Sequence, residues 1–193
     1  MSKPQILQKC EDLGYKVFDG SSDYDLNLVG VRTADNHDNA FNDFFHVCYK
    51  VNGTWHHNQF KCTTDPGLYW RANPSRIAGT AILVPGQYRG CWQLGLHQGR
   101  YEALRQCAPV KVYRDGNRDH ILDFHPHTIE EGIFGINIHR SNSRRESTQV
   151  DKWSAGCQVL ANPDDFAMLL ELCHKQISVH PTWTKFSYTL LEE

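Results

Sequence analysis

Residues 134–160 read FGINIHRSNSRRESTQVDKWSAGCQVL, and both the fold and the chemistry of this chain turn on that stretch. Phe134, Ile136 and Ile138 alternate with Gly135, Asn137 and His139, a period of two that marks a half-buried strand. His139 then leaves the strand on the face opposite the isoleucines. Residues 140–153 are almost all polar and read as a long loop, after which CQVL at 157–160 resumes an apolar run suited to a second strand. Two neighbouring strand ends joined in this way can bring His139 and Cys157 together.

Those two residue types point to thiol chemistry. A free thiol with a pKa of about 8.5 is mostly protonated at neutral pH, whereas pairing with an imidazolium lowers it to roughly 3.5–7.5 and supplies the thiolate that attacks. Gly156 has no side chain, so the N–H groups of Gly156 and Cys157 can approach an acyl oxygen and stabilise an oxyanion. Ser154 either orients the imidazole or the substrate, or shapes the turn. A lone cysteine would read as a buried, inert thiol. The strand, the spacing and Ser-x-Gly-Cys together favour catalysis.

Outward from this segment the chain is rich in strand signals. DLNLVGVR (25–32), DFFHVCYKV (43–51) and TWHHNQFKC (54–62) are strand-like, and Asn52-Gly53 between the last two is a strong two-residue hairpin signal. Further strands are expected at 80–84, 91–97, 110–114, 120–124, 134–138, 157–160 and 185–190, with a turn at Asp115-Gly116-Asn117. Ile6, Leu7, Cys10 and Leu13 have helical spacing within 2–13, closed by Gly14. A second helix is expected over 163–176, opened by Asn162-Pro163 and acidic Asp164 and Asp165, with Phe166, Leu169, Leu170 and Cys173 as its apolar stripe. The pattern predicts a β-rich α+β protein, a mixed antiparallel sheet or sandwich with a few peripheral helices.

At 193 residues, 40% hydrophobic and 11% aromatic, the chain is sized for one well-buried core, so a single domain spanning 1–193 is expected. A formal net charge of −2 gives no case for a nucleic-acid binder. The seven cysteines include no C-x-x-C pair, and mostly reduced thiols are expected, with Cys48 and Cys62 the candidates to pair in an oxidising compartment. The N-terminus lacks the apolar core of a secretory signal, and no run approaches the roughly 18 apolar residues of a membrane helix, so no membrane insertion is expected.

His139 followed by Ser154-x-Gly156-Cys157 resembles the signature of the L,D-transpeptidase (YkuD-like) catalytic domain. The blocks GIFGINIHR and WSAGCQV are similar to the variant carried by small phage-encoded and phage-derived cell-wall enzymes. The motif match covers about thirty residues, with weaker resemblance from Pro85 to Asp119, which places a transpeptidase-like core in 81–193 and leaves 1–80 as a helix and strands of unassigned resemblance. The resemblance implies Cys157 as nucleophile, His139 as base, Gly156 with Cys157 as oxyanion hole, and no cofactor or metal. The histidine that many of these enzymes place before Gly-Cys is here Ala155, and the residues after the cysteine are Gln158 and Val159. It further implies a peptidoglycan hydrolase cutting stem or cross-link peptides, made in the cytoplasm and acting at the bacterial wall after lysis, through a holin-type pore or by a secretion machine. Alternatives are an L,D-transpeptidase or D-amino-acid exchange enzyme and a non-catalytic wall-binding module.

For such a substrate, residues 85–106 carry suitable groups: Arg89, Trp92, His97, Arg100 and Tyr101, whose aromatic faces can stack on sugars and whose arginines can hold stem-peptide carboxylates. Otherwise Trp92 belongs to the core. Arg140, with Arg144 and Arg145, adds local positive charge beside His139. Asp123, His125 and His127 reach no third ligand at a metal-site spacing and read as a turn around Pro126; a zinc hydrolase built on them is the weakest alternative. His56 and His57, adjacent in a strand, point to opposite faces.

Overall fold

The computed structural model describes residues 2–34 and 39–193. Its strands are β1 (Asn27–Arg32), β2 (Asp43–Val51), β3 (Thr54–Thr63), β4 (Thr80–Leu83), β5 (Gly86–His97), β6 (Tyr101–Gln106), β7 (Val110–Asp115), β8 (Glu130–Gly132), β9 (Ile138–Arg140), β10 (Gln158–Leu160) and β11 (Lys185–Glu192). The helices are α1 (Gln5–Asp12), α2 (Leu68–Ala72) and α3 (Pro163–Val179), with a 3-10 turn at Pro126–Thr128. Eight strands close a barrel in the order β1-β11-β5-β6-β9-β10-β3-β2, while β4, β7 and β8 form a separate three-stranded sheet. The β-rich expectation holds, with a closed barrel where the patterning suggested a mixed antiparallel sheet or sandwich. Because β1, β2 and β3 are staves of the same barrel as β9 and β10, the first eighty residues are part of the body that carries His139 and Cys157.

Local signals explain most of the staves. Asn52 and Gly53 both sit at positive φ, 50° and 73°, the geometry that lets a two-residue loop follow the strand twist, and β2 and β3 pair from Val51↔Thr54 to Asp43↔Cys62. That register puts Cys48 opposite His57. Cys48 packs in the cluster under α1 and Cys62 in the main core, both as free thiols, so the pair considered for an oxidising compartment is not joined. On β1, Leu28, Gly30 and Arg32 alternate with Val29 and Val31, which pack outward with Ile6, Leu7 and Cys10 of α1. A Cβ on Gly30 would stand 1.8 Å from the Tyr188 hydroxyl, so the absent side chain leaves room for that ring inside the barrel. α3 opens on Asn162, whose side chain accepts from the Asp164 N–H. It lies against the barrel through Phe166 on Tyr101 and His174 on Glu102 of β6, Met168 by Asn58 of β3, and Gln176, which accepts the Leu26 N–H just before β1.

Two expected strands differ from the patterning, and three elements were not marked by it. Residues 120–124 are a loop wound around Asp119, with only Leu122 fully buried, and residues 134–137 lie outside any ladder, with Gly135 at φ +78°, so the strand there is only Ile138–Arg140. The strand β6, the short β8 and the five-residue α2 lie in stretches with no strong period. Among the described residues no helix is long and apolar enough to cross a membrane.

Candidate active site

Strands β9 and β10 lie side by side and parallel, with Ile138 opposite Gln158, His139 opposite Val159 and Arg140 opposite Leu160. Ile138, Leu160 and Gln158 face the barrel interior, where the Tyr188 hydroxyl donates to Gln158 Oε1 at 2.8 Å. His139, Val159 and Cys157 therefore share the outer face, with His139 and Cys157 on a diagonal two residues apart in register. The connecting loop makes the parallel pairing possible. Ser141 N–H donates to Leu160 O at 3.0 Å, Ser147 N–H to Ala161 O at 3.0 Å, and Val150 packs with Phe41, Val159 and Ala161.

The turn before Cys157 is stapled by Ser154. Its hydroxyl donates to Cys157 O at 2.8 Å and accepts the Gly156 N–H at 3.1 Å, so Ser154 shapes the turn and does not orient the imidazole. The Gly156 N–H is thereby committed, leaving the Cys157 N–H as the nominated backbone donor for an acyl oxygen. Gly156 holds φ +114°, and a Cβ there would lie 2.2 Å from Ala81 O of β4, so no other residue fits this turn.

His139 is 3% exposed and its Nδ1 lies 2.8 Å from Arg140 O. A carbonyl only accepts, so Nδ1 carries the proton and Nε2 is the free base. The Tyr101 hydroxyl lies 3.2 Å from both Nδ1 and Arg140 O and holds the ring from behind. His97 stacks on His139 with ring centroids 4.0 Å apart, and its Nδ1 accepts from Asn137 Nδ2 at 3.1 Å. Burial, then the neighbouring His97, pulls His139 down to about 3. Cys157 is partly exposed at its surface but closely surrounded, and desolvation pushes its thiol up to about 11, against the opposing pull of the Asn137 N–H. Its Sγ donates to Gly135 O at 3.4 Å; among the described residues no hydrogen bond joins it to the His139 ring. At rest the thiol and the imidazole are each neutral, not the thiolate–imidazolium pair that the spacing suggested.

The other nominated residues divide. Trp92 is fully buried and donates from Nε1 to Ile136 O at 2.7 Å, so it is a core residue and not a substrate contact. Arg89 is exposed near the far end of β5, eight residues from His97, roughly 26 Å at about 3.3 Å per residue, and does not belong to the site. His97 and Tyr101 serve the imidazole. Arg100 is exposed in the β5–β6 turn and near enough to help lower His97. Arg140 lies with its guanidinium 4.2 Å from the Tyr101 ring centre. Arg144 and Arg145 point into solvent. His125 and His127 stack on each other at 5.4 Å in the exposed 3-10 turn, while His56 stacks on Tyr49 and His57 on His46, on opposite strand faces.

Two parts of the site carried no signal in the sequence. Gln106 of β6 accepts from the N–H groups of Phe134, Gly135 and Ile136 at 3.0, 2.9 and 2.9 Å and donates to Ala108 O and Gly132 O. It holds the segment that presents Gly135 O to the thiol. Helix α2 leans on the Cys157 loop through Gly67 N–H to Ser154 O at 3.0 Å and Trp70 Nε1 to Lys152 O at 3.1 Å, placing Tyr69 beside Lys152. Compared with family models, curated proteins and solved structures, the chain finds no match.

Proposed function

We propose that this protein is a cysteine-dependent peptidase or amidase that cuts the stem or cross-link peptides of peptidoglycan. The observation that carries the reading is the shared outer face of β9 and β10, where His139, its Nε2 without a hydrogen bond among the described residues, stands diagonal in register to a partly exposed Cys157. The resemblance of the GIFGINIHR and WSAGCQV blocks to the L,D-transpeptidase signature supplies the substrate class. With both groups neutral at rest, His139 Nε2 takes the Sγ proton as the sulfur bonds to the peptide carbonyl carbon. The oxyanion is met by the Cys157 N–H. Collapse breaks the C–N bond, His139 returns the proton to the departing amine, and water, deprotonated by the same Nε2, releases the acyl group and restores the thiol. In this reading Arg140, over the Tyr101 ring, takes a substrate carboxylate, and exposed Tyr69 and Trp153 offer surfaces for sugar or peptide.

Mass analysis of purified peptidoglycan digested with the protein and with Cys157→Ala, without added metal, tests this. Peptide-bond cleavage lost in the variant supports it. Products that persist in the variant, or none from either protein while both still bind the wall, would sink it. Adding a free D-amino acid separates hydrolysis from exchange, since exchange would appear as its incorporation.

A further inference from the structure

Cys91 on β5 and Cys107, the residue after β6, face each other across a hairpin. The ladder pairs Trp92 with Gln106, so the next step puts Cys91 opposite Cys107, and the Cys107 N–H donates to Cys91 O at 2.7 Å. Trp92 and Gln106 both reach the 134–136 segment, whereas Gln93 and Arg105, the adjacent pair on the other face, are exposed. Opposed residues share a face and successive ones alternate, so the two cysteines lie on the face of Gln93 and Arg105. Residues opposed at a hydrogen-bonded position stand about 5.5 Å apart at Cα, inside the roughly 4.4–6.8 Å that a disulfide spans.

The sulfur contacts bring the pair together independently of the register. Cys91 Sγ donates to Pro109 O at 3.7 Å, two residues past Cys107, and Cys107 Sγ donates to Gly90 O at 3.6 Å, beside Cys91. Each thiol thus crosses to the other's segment. Cys91 is 7% exposed, while Cys107 is partly exposed and open to a reagent from solvent. Burial raises both thiols, and Cys107 raises Cys91 further; the Lys185 ammonium pulls both back toward the thiolate. Neither sulfur is used by the chemistry at Cys157.

We propose that Cys91 and Cys107 form a reversible dithiol–disulfide site, oxidised by small-molecule disulfides of the glutathione class, with Cys107 as the attacking thiol and Cys91 as the resolving one. Cys107 Sγ, after losing its proton, bonds to one sulfur of the small disulfide; that S–S bond breaks, and the departing thiolate takes up a proton. Cys91 Sγ then gives up its proton and bonds to Cys107 Sγ, expelling the second small thiol. The protein loses two electrons and two protons, and one small disulfide becomes two thiols. The new bond ties together the ends of the hairpin that carries His97, Tyr101 and Gln106, and so braces the residues behind His139. The site stands whether or not the peptidoglycan reading does.

The test is to incubate the full, reduced, folded chain with oxidised glutathione at about pH 8, block the remaining thiols, and map the peptides by mass spectrometry without reduction. A peptide pair joined through Cys91 and Cys107, two hydrogens lighter than its reduced form and released by dithiothreitol, supports the proposal. In the partly exposed variant Cys107→Ser, Cys91 should stay a free thiol; in Cys91→Ala, the reaction should stop at a glutathione adduct on Cys107. A glutathione adduct that persists on Cys107 of the unaltered chain, both thiols still free after Cys157 has reacted, Cys107 joined to any other cysteine, or Cys91 modified in Cys107→Ser would overturn it.

Discussion

A thiol held near 11 and an imidazole held near 3 do not exchange a proton at rest, so proton transfer must accompany attack. Alkylation of Cys157 by iodoacetamide is therefore expected to keep rising about tenfold per pH unit through pH 9, and His139→Ala should leave that profile nearly unchanged while abolishing turnover. A plateau near neutral pH that disappears in His139→Ala would instead mean a preformed ion pair. Tyr101 acts one step behind, steadying the ring and the carbonyl to which Nδ1–H donates. Tyr101→Phe removes about 0.5–1.5 kcal/mol of hydrogen bonding, so kcat should drop roughly 2- to 10-fold with KM little changed. A change confined to KM would make Tyr101 a substrate contact.

Among the elements, β9 and β10 are only three residues each, and what holds them in register lies outside their own ladder. Gln106 satisfies three successive N–H groups that no strand pairs, and Gly156 admits the Ala81 carbonyl where any Cβ would collide. Gln106→Ala leaves those donors and two carbonyls unpartnered and should cost about 3 kcal/mol in chemical denaturation. Gln106→Glu restores the acceptor but turns a carboxylate oxygen toward Ala108 O and Gly132 O, so it should rescue little. Recovery of full stability by glutamate would show that the acceptor half alone matters. Gly156→Ala should cost about 2–4 kcal/mol, because both the left-handed backbone and the 2.2 Å approach oppose it.

Over the whole molecule, buried groups of opposite kind set the pH dependence of stability. His46 is held near 4 and His139 near 3, each mainly by desolvation, and His57 and His97 are also lowered. The unfolded chain takes up protons that the folded histidines refuse, so their contribution is present above about 6.5 and is lost as pH falls. Asp65 and Asp115 are each raised to about 6, mainly by desolvation; between about 4 and 6 the folded chain binds their protons first, and they oppose that loss. Asp65 lies 2.9 Å from Arg32 Nε, which Thr64 and Leu83 O also hold, so this pair fills one end of the barrel as a buried charge network. Between pH 4 and 6, His139→Gln should flatten the slope of unfolding free energy by about 1.4 kcal/mol per unit, and Asp65→Asn should steepen it equally. Parallel curves for either variant would refute the assignment for that residue.

At this scale the division between sequence and structure is visible residue by residue. Period-two runs, the Asn52-Gly53 turn, the Asn162 cap and the Phe166–Cys173 stripe are local signals, and they marked the hairpin, most staves, α3, and the strand-end histidine with its later cysteine. Local patterning carries no partner information, so barrel closure, the parallel pairing of β9 with β10 and the joining of β1–β3 to the same body waited on tertiary structure. The same limit hid Gln106, Arg32 and Asp65, whose roles consist of contacts between distant segments, and it left Trp92 and Arg89 as candidates until burial and distance along β5 removed them. The residue types named the chemistry available to the chain. Only packing decided that His139 and Cys157 are both neutral, because a pKa is set by the water and charge that folding brings to or removes from a group.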